Sequence, residues 1–259
     1  MRFAGLSFDT RESIRYVISD VDDTITFKGK LIPESLEALW RLKNSGKTII
    51  LVTGGSAGWA DAYIRQWPVD AVIAESGAVL IAHGKDDAIV YSVNPAIDQK
   101  TYQEKKGKLL KATAGLSLSS DQYARIFDIA YDKSQLDEYS IRNLRHVLDA
   151  MGASYAESSI HINAWFGDYD KKSSLRYFTK QLYAIEEQDL LEHSVYFGDS
   201  FNDQVLFSYI PLSIGMHSVE DSRDGFEFLP KYITDGYGGI GFAEACRFIA
   251  DINPSEETN

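Results

Sequence analysis

The stretch Tyr16–Gly29, YVISDVDDTITFKG, combines a predicted strand with a cluster of acids. Its first residues are apolar and β-prone, and they run directly into three acids, Asp20, Asp22 and Asp23, with Thr24 behind them. Neighbouring carboxylates repel each other, and each one that stays ionised near an apolar core costs desolvation free energy. We therefore expect a cation or a chemical reaction to compensate for this cluster.

Strand and helix signals alternate along the first third of the chain. After the acidic loop, PESLEALWRLKNSGK starts with Pro33 at a favoured first helical position and stops at Gly46. TIILVTGGS then predicts a buried strand, GWADAYIRQW a helix and DAVIAES a third strand. This alternation is typical of a doubly wound parallel α/β core, which is Rossmann-like.

The pattern changes at about residue 83 and returns after residue 166. Between these points AHGKDDAIVYSV predicts a hairpin, two amphipathic segments predict helices, and ARIFDIAYD, ASYAES and SIHINAWF predict strands. Beyond them KKSSLRYFTKQLYA, HSVYFGDS and NDQVLFSYI resume the α/β alternation. We predict a core of residues 1–82 and 167–259, with an α+β domain of residues 83–166 inserted into it.

Composition limits the class of partner. The 259 residues are 44% hydrophobic and carry a net charge of −12, which argues against nucleic acid or an anionic membrane surface as a partner. The single cysteine, Cys246, is expected to be a packed core thiol, and it excludes an internal disulfide. Because no run approaches about 20 apolar residues, we expect a soluble, cytoplasmic protein.

Polar residues follow several of the predicted strands. Asp20 and Asp199 end two strands and Thr53 ends a third, while Lys171 and Lys172 open the helix that follows the insertion. In open α/β sheets ligands bind at the carboxyl ends of the strands, so these features point to one crevice. Carboxylates for Mg²⁺, a hydroxyl and an ammonium for phosphate oxygens, and a nucleophilic carboxylate together make a phosphoryl-transfer site.

Four motifs in order carry a family resemblance. DVDDT, LVTGG, DKKSSL and GDSFND resemble the motifs of the haloacid-dehalogenase-like (HAD) phosphatases, in the branch whose cap lies between the second and third motifs. This branch includes the Cof-like and sucrose-phosphatase-like sugar phosphatases. VIAESGAVL and YITDGYGGIGFAEA are similar to its connecting segments, so the resemblance covers most of the chain. The resemblance implies Mg²⁺-dependent hydrolysis of a small phosphorylated metabolite. A sugar phosphate is the leading candidate, and the cap would set the specificity.

The resemblance also implies roles for the acids. Asp20 would attack phosphorus to form an aspartyl-phosphate, and Asp22 would protonate the leaving oxygen and then activate water. Mg²⁺ would be held by Asp20, by the backbone carbonyl of Asp22 and by Asp199, with Asp203 as a further ligand or as an orienting residue. Asp23 stands where the family commonly has glycine, and we interpret it as an outward-facing turn residue.

The other implied contacts concern the phosphate. Thr53 and the backbone amide of Gly54 would hold phosphate oxygens, and a lysine would neutralise charge on the transferring group. A leucine follows this lysine by four residues in the family pattern, which favours Lys171 over Lys172. Asn202 in GDSFND is a further candidate substrate-binding residue.

The strand SIHINAWF offers a candidate specificity surface. His161, Asn163 and Trp165 alternate with apolar residues and share one face of the strand. This face is either an ordinary half-exposed sheet surface or a wall of the cleft that suits a polyol or sugar.

Two other functions use similar residues. A sugar phosphomutase of the same branch would need an aspartyl-phosphate that outlives hydrolysis. A phospho-accepting regulatory module also clusters acids, a threonine and a lysine at strand ends, but it would need only about half this length. The inserted block therefore favours the enzyme.

Overall fold

The computed structural model describes residues 8–158 and 160–250. The strands are β1 Tyr16–Ser19, β2 Thr26–Phe27, β3 Lys30–Leu31, β4 Thr48–Val52, β5 Ala71–Ala74, β6 Val79–His83, β7 Ile89–Val93, β8 Ile129–Asp132, β9 Ser154–Glu157, β10 His161–Trp165, β11 Ser194–Gly198, β12 Ser213–Gly215 and β13 Tyr232–Ile233. The helices are α1 Phe8–Ser13, α2 Pro33–Asn44, α3 Ala57–Gln66, α4 Gln99–Ala112, α5 Glu138–Met151, α6 Lys171–Tyr183, α7 Glu187–His193, α8 Gln204–Tyr209, α9 Ser218–Asp221 and α10 Gly238–Ala250.

The main sheet has eight strands in the order β13-β12-β11-β1-β4-β5-β6-β7. The pairs from β13 to β5 are parallel, whereas β5, β6 and β7 pair antiparallel. The chain leaves β1 for β4 on one side and later returns to β11 on the other. The carboxyl end of β1 is therefore a topological switch point, where α/β sheets form their ligand crevices. The predicted doubly wound α/β class is confirmed.

A second, smaller sheet consists of three antiparallel strands in the order β8-β10-β9. We call it the small sheet. Helices α4 and α5 lie where the two amphipathic segments predicted them. The hairpin that begins near residue 83 behaves differently, because β7 extends the main sheet through β6. Drawn by sheet membership, the inserted unit begins after Val93; the division into two domains stays a prediction.

Buried apolar residues cover both faces of the main sheet. One cluster includes Val17, Leu51 and Phe197, and the other includes Ile18, Ile50 and Tyr196. Consecutive residues of a strand point to opposite faces, so two-sided burial explains why these strands are continuously apolar. Within residues 8–158 and 160–250, no helix combines the length and the apolar character needed to cross a membrane.

Two details of the sequence interpretation follow the core. Cys246 is buried on α10, as expected for a packed thiol. Helices α1, α7 and α9 are short and were not predicted, because four to seven residues carry too little periodicity to be recognised.

Candidate active site

Three neighbouring parallel strands bring the acidic and hydroxyl residues together. Asp20 follows β1, Thr53 follows β4 and Asp199 follows β11, and β1 pairs with both of the other strands. Carboxylate oxygens of Asp20, Asp199 and Asp203 all lie within 4.8 Å of one another. The crevice predicted from the strand ends is therefore present, and three buried carboxylates meet in it.

Lys171 connects the acids. Its ammonium nitrogen lies 2.7 Å from Asp20 Oδ1 and 2.7 Å from Asp203 Oδ1. Asp170 places it there by capping helix α6, since its carboxylate accepts a hydrogen bond from the Ser173 backbone amide. Burial opposes the charge on Lys171, but the two carboxylates outweigh it and raise its pKa.

Lys172 lies outside this cluster. Its ammonium nitrogen is 4.8 Å from the centre of the Tyr209 ring. Consecutive helical residues point about 100° apart, so only one of the two lysines can face the crevice. The geometry favours Lys171, in agreement with the sequence interpretation.

Asp203 has its hydrogen-bonding capacity taken up by the protein. Lys171 and the Tyr196 hydroxyl donate to Oδ1, the latter at 2.6 Å. The backbone amides of Asp199 and Ser200 donate to Oδ2 at 3.0 and 3.1 Å. Such a saturated carboxylate suits an orienting residue better than a metal ligand.

Glycine at position 198 is needed for this arrangement. A Cβ atom there would lie 2.7 Å from both Cβ and Cγ of Asp203, closer than side chains approach in folded proteins. The GDSFND motif therefore requires its glycine so that Asp203 can pack against the strand end.

Asp199 is the carboxylate that most needs a cation. It is buried, and among the described residues its side chain accepts a hydrogen bond only from Thr24, at 3.3 Å. Burial raises its pKa well above the usual range, and the charges of Asp203 and Asp20 add to the effect. Burial likewise raises the pKa of Asp20 to about 8, against the opposing charge of Lys171. Buried oxygen ligands with excess negative charge fit a hard divalent ion.

Asp22 and Asp23 lie on the loop that follows β1. Asp22 lies on the wall of the cleft and is exposed. Desolvation by the surrounding protein is the main cause that raises its pKa, and the charge of Asp23 adds to it. Asp23 has a φ of 52°, and its carboxylate accepts from the Lys28 amide at 2.9 Å. Asp23 is thus a turn residue, consistent with the interpretation of the sequence.

The loop after β4 presents Thr53 and Gly54. Thr53 is buried, and its hydroxyl oxygen accepts from the Gly55 amide at 2.8 Å, so the hydroxyl hydrogen is available to another group. The Gly54 amide has no acceptor within the described part of the chain. Both donors are therefore available for an anion.

The predicted specificity residues divide into two groups. His161, Asn163 and Asn202 line the same cleft as Asp20, Asp22 and Asp199. Burial lowers the pKa of His161, and the charge of Arg125 lowers it further. Asn163 and Trp165 are both buried, but Trp165 donates from Nε1 to the Tyr169 carbonyl at 3.0 Å and lines a neighbouring cavity rather than this cleft.

Several residues at the site were not predicted. Glu75 and Arg125 are buried beside the Thr53 loop. The rings of Trp59 and Tyr63 on α3 form a stacked row with that of Trp67, the residue that follows the helix. The i, i+4 spacing of the rings was visible in the sequence, and Glu75 lies within the VIAESGAVL segment. Nothing in the sequence around Arg125 distinguishes it.

Comparisons with known proteins identify a similar family, a relative and similar folds. Residues 17–122 match the family model of the haloacid dehalogenase-like hydrolases. The chain is 27% identical over 242 residues to a phosphoglycolate phosphatase of Pyrobaculum aerophilum, covering 91% of this chain and 95% of that protein.

Solved structures share the fold. A Thermoplasma acidophilum protein has a TM-score of 0.71 at 17% identity, covering 93% of this chain and 99% of that one. A Synechocystis sucrose-phosphatase, solved with sucrose and phosphate, has a TM-score of 0.62 at 18% identity, covering 90% and 97%. These comparisons confirm the resemblance inferred from the four motifs: residues 17–122 are similar to the haloacid dehalogenase-like hydrolases, and the relative that covers most of the chain is a phosphatase.

Proposed function

We propose that this protein is a Mg²⁺-dependent phosphomonoester hydrolase that acts on a small sugar phosphate through an aspartyl-phosphate on Asp20. The observation that carries the proposal is the contact between Lys171 and Asp20, 2.7 Å apart, beside the carboxylate of Asp199. An ammonium next to a nucleophile lowers the cost of bringing a phosphate dianion to a carboxylate.

In the first step a carboxylate oxygen of Asp20 forms a bond to phosphorus, and the bond from phosphorus to the ester oxygen breaks. Asp22 supplies the proton that the departing oxygen needs, which its raised pKa favours. The Thr53 hydroxyl, the Gly54 amide and Lys171 donate to the phosphoryl oxygens during the transfer.

In the second step Asp22, now ionised, takes a proton from water, and the water oxygen attacks phosphorus. The bond from phosphorus to Asp20 breaks, and inorganic phosphate leaves. Asp20, Asp199 and the Asp22 carbonyl would hold Mg²⁺, which supplies charge neutralisation when bound. Asp203 orients Lys171 and the loop of Asp199.

A cavity beside Asp22 supports the sugar class. The leaving oxygen must lie within reach of Asp22, so the organic part of the substrate occupies the space next to it. There a cavity of about 410 Å³ is lined by Trp59, Tyr63 and His161, among others. This volume accommodates a ring rather than only a two-carbon acid, and aromatic faces can pack on the apolar face of a sugar while His161 meets its hydroxyl groups.

The test is phosphate release from a panel of phosphomonoesters with and without Mg²⁺, including hexose phosphates and 2-phosphoglycolate. Release that requires Mg²⁺ and disappears in Asp20→Asn is expected. A wild-type protein that releases no phosphate from any ester while it accumulates a stable phospho-Asp20 would indicate the regulatory function instead.

Product analysis separates the remaining alternative. With a hexose 1-phosphate, a phosphatase forms free hexose and inorganic phosphate, whereas a phosphomutase forms the isomeric hexose phosphate. The proposal expects the first outcome.

A further inference from the structure

A buried polar network joins the loop Thr53–Ser56 to the small sheet. Its centre is Arg125, whose side chain is 1% exposed. One terminal nitrogen, Nη1, donates to the Gly54 carbonyl at 2.9 Å and to the Asp128 carboxylate at 2.9 Å. The other guanidinium nitrogens donate to the Asp121 carboxylate at 3.1 and 3.2 Å. Arg125 lies in the segment that leads into β8, so its side chain links the small sheet to the loop after β4.

The same carbonyl receives a second donor. Asn163 Nδ2 donates to the Gly54 oxygen at 2.9 Å and to Asp128 at 2.7 Å. At the other polar end of that peptide unit, the Gly55 amide donates to Thr53 Oγ1 at 2.8 Å. The peptide between the two glycines is thus held on both sides.

Glu75 anchors the segment that carries Arg125. Its fully buried carboxylate accepts from the backbone amides of Ile126, Phe127 and Asp128 at 2.7 to 3.0 Å, and from that of Ala57 at 3.0 Å. The φ of Glu75 is 51°, a strained conformation for a residue other than glycine, and these four hydrogen bonds offset the strain.

Two glycines in succession leave the loop with wide conformational freedom unless something outside it restrains it. The Gly54 amide and the Thr53 hydroxyl, which would hold phosphate oxygens, belong to this loop. We propose that Arg125 is a positioning residue for the phosphate site: by fixing the Gly54–Gly55 peptide it makes phosphate binding depend on docking of the small sheet. The inference rests on the proposed function and deepens it.

Arg125→Lys tests this without removing the charge that Asp121 and Asp128 require. An ammonium lacks the planar fork that reaches Gly54 and both carboxylates together. We expect kcat/KM to fall about ten- to hundredfold for acetyl phosphate and for a hexose phosphate alike, with inhibition by vanadate weakened by a similar factor. Arg142→Lys, at an exposed position of α5, is the matched control and should change neither.

Gly58→Ala provides a second variant that removes no charge. A Cβ at Gly58 would lie 2.7 Å from the Ala124 side chain, so it pushes the Arg125 segment away from α3. We expect the same fall in kcat/KM for both substrates and the same weakening of vanadate inhibition. Circular dichroism and thermal unfolding establish that each variant is folded.

Three outcomes would overturn the inference. The first is an unchanged vanadate affinity in folded Arg125→Lys. The second is a lower thermal stability with unchanged kcat/KM, and the third is a fall in kcat/KM for the hexose phosphate alone. Failure of the proposed function looks different, because the wild-type protein would then hydrolyse no ester. Binding of inorganic phosphate, measured by calorimetry on wild type and Arg125→Lys, still decides the positioning role in that case.

Discussion

The ammonium of Lys171 lies 2.7 Å from the carboxylate of Asp20, although 151 positions separate the two residues in the chain. Asp203, which Lys171 also contacts at 2.7 Å, lies beyond a further strand. One cation therefore links the ends of two strands and the start of a helix. This buried contact is the structural basis for the predictions that concern catalysis.

Lys171→Met should abolish most activity while the control Lys172→Met retains it. The substitution removes a donor to the transferring phosphoryl group and leaves Asp20 and Asp203 without their shared cation. We expect kcat to fall by about 10²-fold or more. Steady-state kinetics on both variants measure this, and a greater loss in Lys172→Met would contradict the assignment.

His161→Ala should raise KM for a sugar phosphate by much more than for acetyl phosphate, with a small effect on kcat. The reason is that His161 lines the cleft beside Asp22, where the organic part of the substrate would lie. Equal changes in KM for the two substrates would remove His161 from the specificity surface.

Trp165→Ala should have a different effect from His161→Ala, although both residues lie on β10. Trp165 is 5% exposed, stacks on Tyr169 and donates to its carbonyl, so its truncation removes packing and a buried hydrogen bond. The free energy of unfolding should fall by about 3–5 kcal/mol. Urea denaturation measures it; an unchanged midpoint together with a large rise in KM would show that Trp165 contacts substrate.

Mg²⁺ should raise the thermal unfolding temperature of the wild-type protein. A ligand that binds only the folded state stabilises it by RT ln(1 + [L]/Kd), about 2.7 kcal/mol at a hundredfold excess over Kd. Asp199→Asn should lose most of this shift, whereas Asp224→Asn, at an exposed position, should keep it. Equal shifts in all three proteins would place the cation elsewhere.

Asp128 should make stability fall as pH rises from about 4 to about 7. Burial raises its pKa to about 7, against Arg125 and with the added repulsion of Glu75. The folded state then holds the proton more tightly than the unfolded state, so deprotonation costs stability, on the order of 4 kcal/mol at most.

Asp128→Asn removes this titration. The stability of this variant relative to wild type should therefore increase between pH 5 and pH 8, at constant Mg²⁺. A difference that stays constant with pH would show that Asp128 is already ionised at pH 5.

Much of the fold was predictable because its signals are local. The apolar strands around Val17, Ile50 and Val72 are bounded by turn and helix signals, and parallel strands buried on both faces leave continuous apolar runs. The hairpin at residue 83 was harder to place. Its alternation indicates strands, but pairing with β5 is a choice of partner that no local pattern contains.

The candidate site was predictable to the extent that it lies at strand ends. Asp20, Thr53 and Asp199 follow strands directly, so the general rule for α/β crevices applies to them. Arg125 and Glu75 act on the site from a segment and a turn without such a rule. Arg125 reaches the Thr53 loop through a main-chain carbonyl, and Glu75 holds the Arg125 segment through main-chain amides, so neither contact leaves a trace in residue type.

Local sequence patterns were enough to predict the order of most strands and helices, the chemical groups at the strand ends and the family resemblance, because these depend on neighbours within a few residues. Long-range packing places Lys171 rather than Lys172 against Asp20, gives Asp203 its donors Lys171 and Tyr196, and brings Arg125 to Gly54. Such contacts depend on helix phase and on the docking of distant segments, and buried polar groups accept only partners that satisfy their hydrogen bonds.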